Sequence, residues 1–166
     1  DKKAFKIGLD MNVKDFSLSF TNSADDVLQV RNIIGSGSNL ISKIESVKGV
    51  LNLGEILPVV DNILIDRGDL SREVPIERIP FIQRRIISFA RSKDTPVFVA
   101  TNLLESMIKS ESPTRAEAND VASTLLMGAS GLVLAAETAI GDYPVGAVEM
   151  INLIIKQYNR WTTESS

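Results

Sequence analysis

Short apolar runs alternate along the chain with longer stretches whose apolar residues recur at helical spacing. Runs of strand length fall at 14–20, 40–45, 62–66, 97–101 and 132–136, the length and composition of buried parallel strands. Between them, 24–34 carries Val27, Val30, Ile33 and Ile34 on one side of a helix. The stretch 76–91 does the same with Ile79, Ile82, Ile86, Ile87 and Ala90. A helix over 114–127 opens with Thr114-Arg115-Ala116-Glu117 directly after Pro113, the spacing of a capping box. A last helix over 145–158 follows Pro144, and the first eleven residues read as the tail of a preceding helix.

Strand, helix and strand in repeated succession predict parallel pairing with helices as crossovers, hence an α/β fold. A doubly wound nucleotide-binding sheet would carry a glycine-rich turn after its first strand. Here Phe20-Thr21-Asn22-Ser23 holds no glycine, and Gly35-Ser36-Gly37 follows a helix. Polar residues gather instead at the C-terminal ends of several strands, which is how (β/α) barrels assemble their sites. The expectation is five parallel (β/α) units, the later strands of a TIM-type (β/α)8 barrel filling 1–166. A closed barrel of this type takes about 250 residues, so the barrel is expected to be incomplete as given. The start at Asp1 rather than Met points the same way, to a segment of a larger protein.

Composition narrows the chemistry by exclusion. There is no cysteine and no histidine, which removes disulfides, thiolate catalysis, imidazole bases and the usual zinc ligands. A metal here must be a hard cation held by oxygens, Mg²⁺ or Mn²⁺. A net charge of −3 and a pI near 5.1 argue against a nucleic-acid partner. No apolar run approaches the ~20 residues of a membrane span, and the N-terminus has no signal-peptide core. A cytoplasmic protein is the default expectation.

Three strand ends carry candidate chemistry. Lys43 and Glu45 lie two apart in Leu40-Ile41-Ser42-Lys43-Ile44-Glu45 and so share one face of a strand, with Ile44 on the other. They form either a structural ion pair, or a metal-binding carboxylate beside an ammonium for a phosphate or a developing enolate. Asp69 follows a strand in Ile63-Leu64-Ile65-Asp66-Arg67-Gly68-Asp69-Leu70. It is either a helix-capping residue or part of a site in which the amides of Gly68 and Asp69 meet a carboxylate. An adhesive role for Arg-Gly-Asp is discounted, because the tripeptide ends a strand within a domain. Thr101 ends its strand with a hydroxyl for substrate or for the next helix, where Asn102 and Glu105 stand at capping-box offset. Glu105, Lys109, Arg115, Glu117 and Asp120 read mostly as surface or interface charges, while Glu137 and Thr138 suit capping and site roles equally. Oxygen ligands and a cation on successive strand ends suit Mg²⁺-assisted chemistry on a phosphorylated or carboxylate substrate.

Five blocks then resemble the pyruvate kinase family in order and spacing. They are Ile41-Ser42-Lys43-Ile44-Glu45, Arg67-Gly68-Asp69-Leu70, the eight residues Ala100 to Met107 with Thr101-Asn102-Leu103-Leu104-Glu105 at their centre, Pro113-Thr114-Arg115-Ala116-Glu117, and Glu137-Thr138-Ala139-Ile140-Gly141-Asp142-Tyr143-Pro144. The resemblance implies phosphoryl transfer from phosphoenolpyruvate to ADP, giving pyruvate and ATP in glycolysis. It implies that Lys43 stabilises the transferring phosphoryl group and the enolate, and that Glu45 and Asp69 hold Mg²⁺ or Mn²⁺. It further implies that Gly68, Asp69 and Thr101 clamp the substrate carboxylate. A K⁺ site mostly outside this segment, lid and effector domains elsewhere in the protein, and a homo-oligomer, a tetramer in the family, are also implied.

Departures from the family pattern mark a divergent member. Asp66 replaces an alanine before Arg-Gly-Asp, Ser71 a glycine, Asn102 a glutamine, and Ala135-Ala136 a Ser-Gly pair; an arginine is replaced near Thr21 and Asn22. The alternatives are a lyase or aldolase of the phosphoenolpyruvate/pyruvate barrel group, which also uses paired carboxylates, and a catalytically weak assembly module.

Overall fold

A computed structural model describes residues 2–164. The chain divides into two compact units, Asp1–Phe98 and Val99–Ser166. Its five strands form one sheet in the order β1-β2-β3-β4-β5, as successive parallel strand–helix units require.

The first unit runs α1 (Lys2–Asp10), β1 (Asp15–Leu18), α2 (Ala24–Ile34), β2 (Asn39–Ile44), α3 (Val47–Leu51), α4 (Leu53–Ile56), β3 (Asn62–Asp66), α5 (Arg67–Leu70) and α6 (Ile79–Arg91). It ends within β4 (Val97–Ala100). Strand β1 pairs in parallel with β2, and β2 with β3, Asp15 facing Asn39 and Ile41 facing Asn62. A polar ladder marks the N-terminal edge: Asn39 Nδ2 donates to Asp15 Oδ1 at 2.8 Å, and Asn62 Nδ2 to Asn39 Oδ1 at 2.7 Å. A one-residue slip would break these bonds and turn the apolar face of each strand outward, so the ladder and the core specify one register. Arg31 near the end of α2 pairs with Asp61 at 2.6 Å, and the same carboxylate accepts the Leu40 N–H at 2.7 Å. Burial favours protonation of Asp61, but Arg31 and the Leu40 amide outweigh it and hold the carboxyl below its ordinary range.

Inside, Leu40, Ile44, Ile63 and Ile65 are fully buried from the strands, and Ile86, Ile87 and Ala90 from α6. The α6 face differs from its expected composition at one place. Gln83 is buried while Ile82 is only half-buried, because the Arg67 guanidinium donates to Gln83 Oε1 at 3.4 Å and a polar residue is wanted there. The expected helix over 76–91 also begins as a 3-10 turn, Ile76–Arg78, with Pro80 in the first turn of the α-helix proper. The helices α3 and α4, which link β2 to β3 along the chain, carry no strong period and are not predicted by the sequence.

The second unit contains a 3-10 turn (Glu105–Ile108), α7 (Arg115–Met127), β5 (Gly131–Val133), α8 (Ala136–Ala139) and α9 (Pro144–Glu164). The capping box forms as the spacing predicts: Thr114 Oγ1 accepts the Glu117 N–H, and Glu117 Oε2 accepts the Thr114 N–H. Leu103, Leu104, Met107, Val121, Leu125, Ala147 and Ile151 form its buried core. The expected strand 132–136 is shorter, because Ala136 starts α8 instead. The last helix extends past 158 to Glu164. Among the described residues, no helix is long and apolar enough to cross a membrane.

Candidate metal and phosphate site

The C-terminal ends of β2 and β3 gather the charged residues, and the turn after β1 adds a backbone amide. Lys43 is the fifth residue of β2 and Glu45 follows its last, so both project on one side while Ile44 enters the core. Lys43 Nζ lies 2.5 Å from Glu45 Oε1 and 3.2 Å from Asp66 Oδ2. Asp66 ends β3, and the chain turns directly into α5, which places Asp69 in its first turn. Ligand oxygens of Glu45, Asp66 and Asp69 lie within 4.8 Å of one another. Arg72 reaches Asp69 at 3.4 Å but is largely exposed, so it holds Asp69 weakly.

Glu45 is the buried member, at 1% side-chain exposure. Its Oε2 accepts the Phe20 N–H at 2.5 Å, while Oε1 is met by the Lys43 ammonium at 2.5 Å. Phe20 stands at φ 49, in left-handed backbone that a bulky residue rarely adopts. That turn aims its amide at Glu45, and the next amide, Thr21 N–H, bonds Lys43 O at 3.2 Å. Gly49 is required by the same turn: a Cβ there would stand 2.5 Å from Thr21 O. Burial works against the charge on Lys43, but Glu45 and then Asp66 more than offset it, holding its pKa above the ordinary value. Lys43 is therefore an ammonium at neutral pH.

The structure brings Lys43, Glu45 and Asp69 together and adds Asp66, which the sequence marks as a departure without assigning it to the site. Gly68 and Asp69 fall in the first turn of α5, where the sequence expects them. Thr101 belongs to the second unit and stands just after β4 at φ 76, followed by Asn102 at φ 55. A β-branched residue held there is strained, which is a mark of functional segments. Asn102 does not cap a helix with Glu105. Its Nδ2 donates to Glu105 Oε2 at 2.7 Å, and the 3-10 turn starts only at Glu105; the left-handed pair 101–102 turns the chain away from capping geometry.

Two acidic residues of the second unit prove to be fasteners. Glu137 is buried and accepts the Leu104 N–H at 3.0 Å and the Ala135 N–H at 2.8 Å. Glu117 accepts both the N–H and the hydroxyl of Ser106 besides closing the capping box. Burial works to raise the Glu117 pKa, but the Ser106 and Thr114 donors win and lower it.

Residues 1–148 match the sequence profile of a family described as pyruvate kinase, barrel domain. The chain belongs to the pyruvate kinase family. It is 46% identical over 155 residues to a pyruvate kinase of Dictyostelium discoideum, covering 92% of this chain and 31% of that protein. It is 41% identical over 160 residues to a pyruvate kinase of Thermotoga maritima, covering 95% of this chain and 34% of that one. One from Agrobacterium vitis is 41% identical over 157 residues, with 95% and 33% covered. The chain thus spans about a third of the length of these pyruvate kinases.

Proposed function

We propose that this chain supplies the phosphoenolpyruvate and divalent-cation half-site of a pyruvate kinase, which transfers the phosphoryl group of phosphoenolpyruvate to ADP and yields pyruvate and ATP. The observation that carries the reading is the cluster of Lys43 with Glu45, Asp66 and Asp69. Its donor set is all oxygen, which suits Mg²⁺ or Mn²⁺. Glu45 Oε1, buried and met by the Lys43 ammonium, is an oxygen whose burial requires a cationic neighbour. Glu45 and Asp69 are the assigned metal ligands. When bound, the cation supplies charge neutralisation for the phosphoryl and enolate oxygens.

The protein's own residues supply position and charge. Lys43, kept cationic by its carboxylate neighbours, meets the phosphoryl oxygens and then the enolate oxygen as the bond from phosphorus to the enol oxygen breaks. The new bond forms to a terminal phosphate oxygen of ADP, and the enolate takes up a proton to give pyruvate. The amides of Gly68 and Asp69 and the Thr101 hydroxyl are assigned to the substrate carboxylate, with Thr101 held in strained backbone for that task. No imidazole is needed, since positioning and electrostatic stabilisation carry phosphoryl transfer.

The same reading places the five strands in a TIM-type (β/α)8 barrel. It assigns the nucleotide contacts and a K⁺ site to parts of the enzyme outside this chain, and implies a cytoplasmic homo-oligomer. The test is phosphoenolpyruvate-dependent ADP phosphorylation by the intact protein. Lys43→Ala is expected to lower kcat by about 10²–10³-fold, the scale for losing one preorganised transition-state contact. Full activity in that variant would remove Lys43 from the mechanism; cleavage of a 2-oxo acid without nucleotide would favour a lyase.

A further inference from the structure

We propose that the cleft between α6 and the pair α3 and α4 binds an organic carboxylate with a planar apolar body. The cleft lies wholly in the first unit, shares no residue with the Lys43 cluster, and does not depend on the half-site reading.

The two short helices that link β2 to β3 form one wall, with Val50 and Leu51 from α3 and Leu53 and Gly54 from α4. The other wall is α6, which contributes Arg85, Ile86, Ser88 and Phe89. They enclose about 560 Å³, a volume in the range of small-molecule sites. Leu53 and Ile86 are its buried members, while Leu51 and Phe89 stay 77% and 37% exposed. Apolar surface left open on both walls gains by covering a flat hydrophobic body. Gly54 keeps the space clear. A Cβ at that position meets nothing within 4 Å, and no turn requires the glycine there. It gives up helix propensity and leaves its wall without a side chain.

Charge sets the class of ligand. Arg85 is the charged residue of the lining, and no acidic residue lines the cleft beside it. Among the described residues, the side chains of Arg85 and Ser88 make no ion pair or hydrogen bond. One turn apart on α6, they offer a guanidinium fork and a hydroxyl to a single anion. Ser92 is engaged locally, its Oγ donating to Phe89 O at 2.7 Å. A carboxylate at Arg85 with its ring against Leu51 and Phe89 satisfies both the charged and the apolar lining, which a neutral or cationic body does not.

The test titrates naphthoate and its uncharged isostere naphthamide into the intact protein by calorimetry. Gly54→Leu fills the open space and Arg85→Gln removes the charge, with circular dichroism and thermal melts to verify folding. The wild type is expected to prefer naphthoate over naphthamide by about fivefold, the upper range for a partly exposed ion pair. Arg85→Gln is expected to abolish that preference and leave the affinity for naphthamide unchanged. Gly54→Leu is expected to weaken both ligands about tenfold, equivalent to roughly 60 Å² of lost apolar contact. Wild-type affinity in Gly54→Leu would place binding elsewhere, and equal affinity of the wild type for acid and amide would remove the role of Arg85; either result overturns the proposal. So does absence of naphthoate binding by the wild type, and a changed sedimentation coefficient in Gly54→Leu would then identify a protein surface as the occupant.

Discussion

Replacing Lys43 by methionine should turn a folded site into one that needs its cation for stability. Lys43 is the ammonium held between Glu45 and Asp66, at 2.5 and 3.2 Å. Without it, the three carboxylates face one another within 4.8 Å, and each pair repels by about 3–4 kcal/mol at an effective dielectric near 20. Removing one partner of a buried ion pair costs about 3–5 kcal/mol. Asp66 and Asp69 keep 16% and 27% side-chain exposure, so they shed part of that strain to water. A loss of about 3 kcal/mol is therefore expected in Lys43→Met. The assay is urea unfolding of the intact protein in EDTA and again in Mg²⁺. A cation at a hundred times its Kd stabilises by about 2.7 kcal/mol, enough to recover most of the loss. Wild-type stability of Lys43→Met in EDTA would show that the carboxylates do not depend on Lys43, and the electrostatic reasoning would fail.

Two further predictions concern the second unit. Glu137→Ala deprives the Leu104 and Ala135 amides of their acceptor, and at about 1–3 kcal/mol for each orphaned donor the expected loss is about 2–6 kcal/mol. Chemical denaturation measures it, and a change below about 0.5 kcal/mol, the range of neutral surface substitutions, would contradict the fastening role. Glu117 has a folded pKa below its ordinary 4.5, so its contribution is fully present above that value and is lost as pH falls through the lowered one. Thermal melts of Glu117→Gln and wild type should therefore differ at pH 7 and converge on acidification; a constant gap would refute the assignment.

Much of the architecture is legible in one dimension because it follows from local periods. The span of α2 and the N-terminus of α7 follow from apolar spacing and capping chemistry, which need no distant partner. The polar ladder of Asp15, Asn39 and Asn62 and the helices α3 and α4 are not legible in this way. Register partners are set by which strands become neighbours, and four- or five-residue helices carry too few positions for a period to show. Asn102 illustrates the opposite failure, since a correct capping spacing loses to the left-handed turn at Thr101 and Asn102.

The division is the same at the site. Sequence alone determined that any metal must be bound by oxygens, since histidine and cysteine are absent. It also placed Lys43 and Glu45 on one strand face, since strand periodicity is two. The tertiary structure decided that Asp66 belongs with them, that Glu45 is buried against the Phe20 amide, and that Lys43 stays charged between two carboxylates. The physical reason is that burial, ion pairing and the pKa of a group depend on distances across neighbouring strands, and those exist only once β1, β2 and β3 lie side by side.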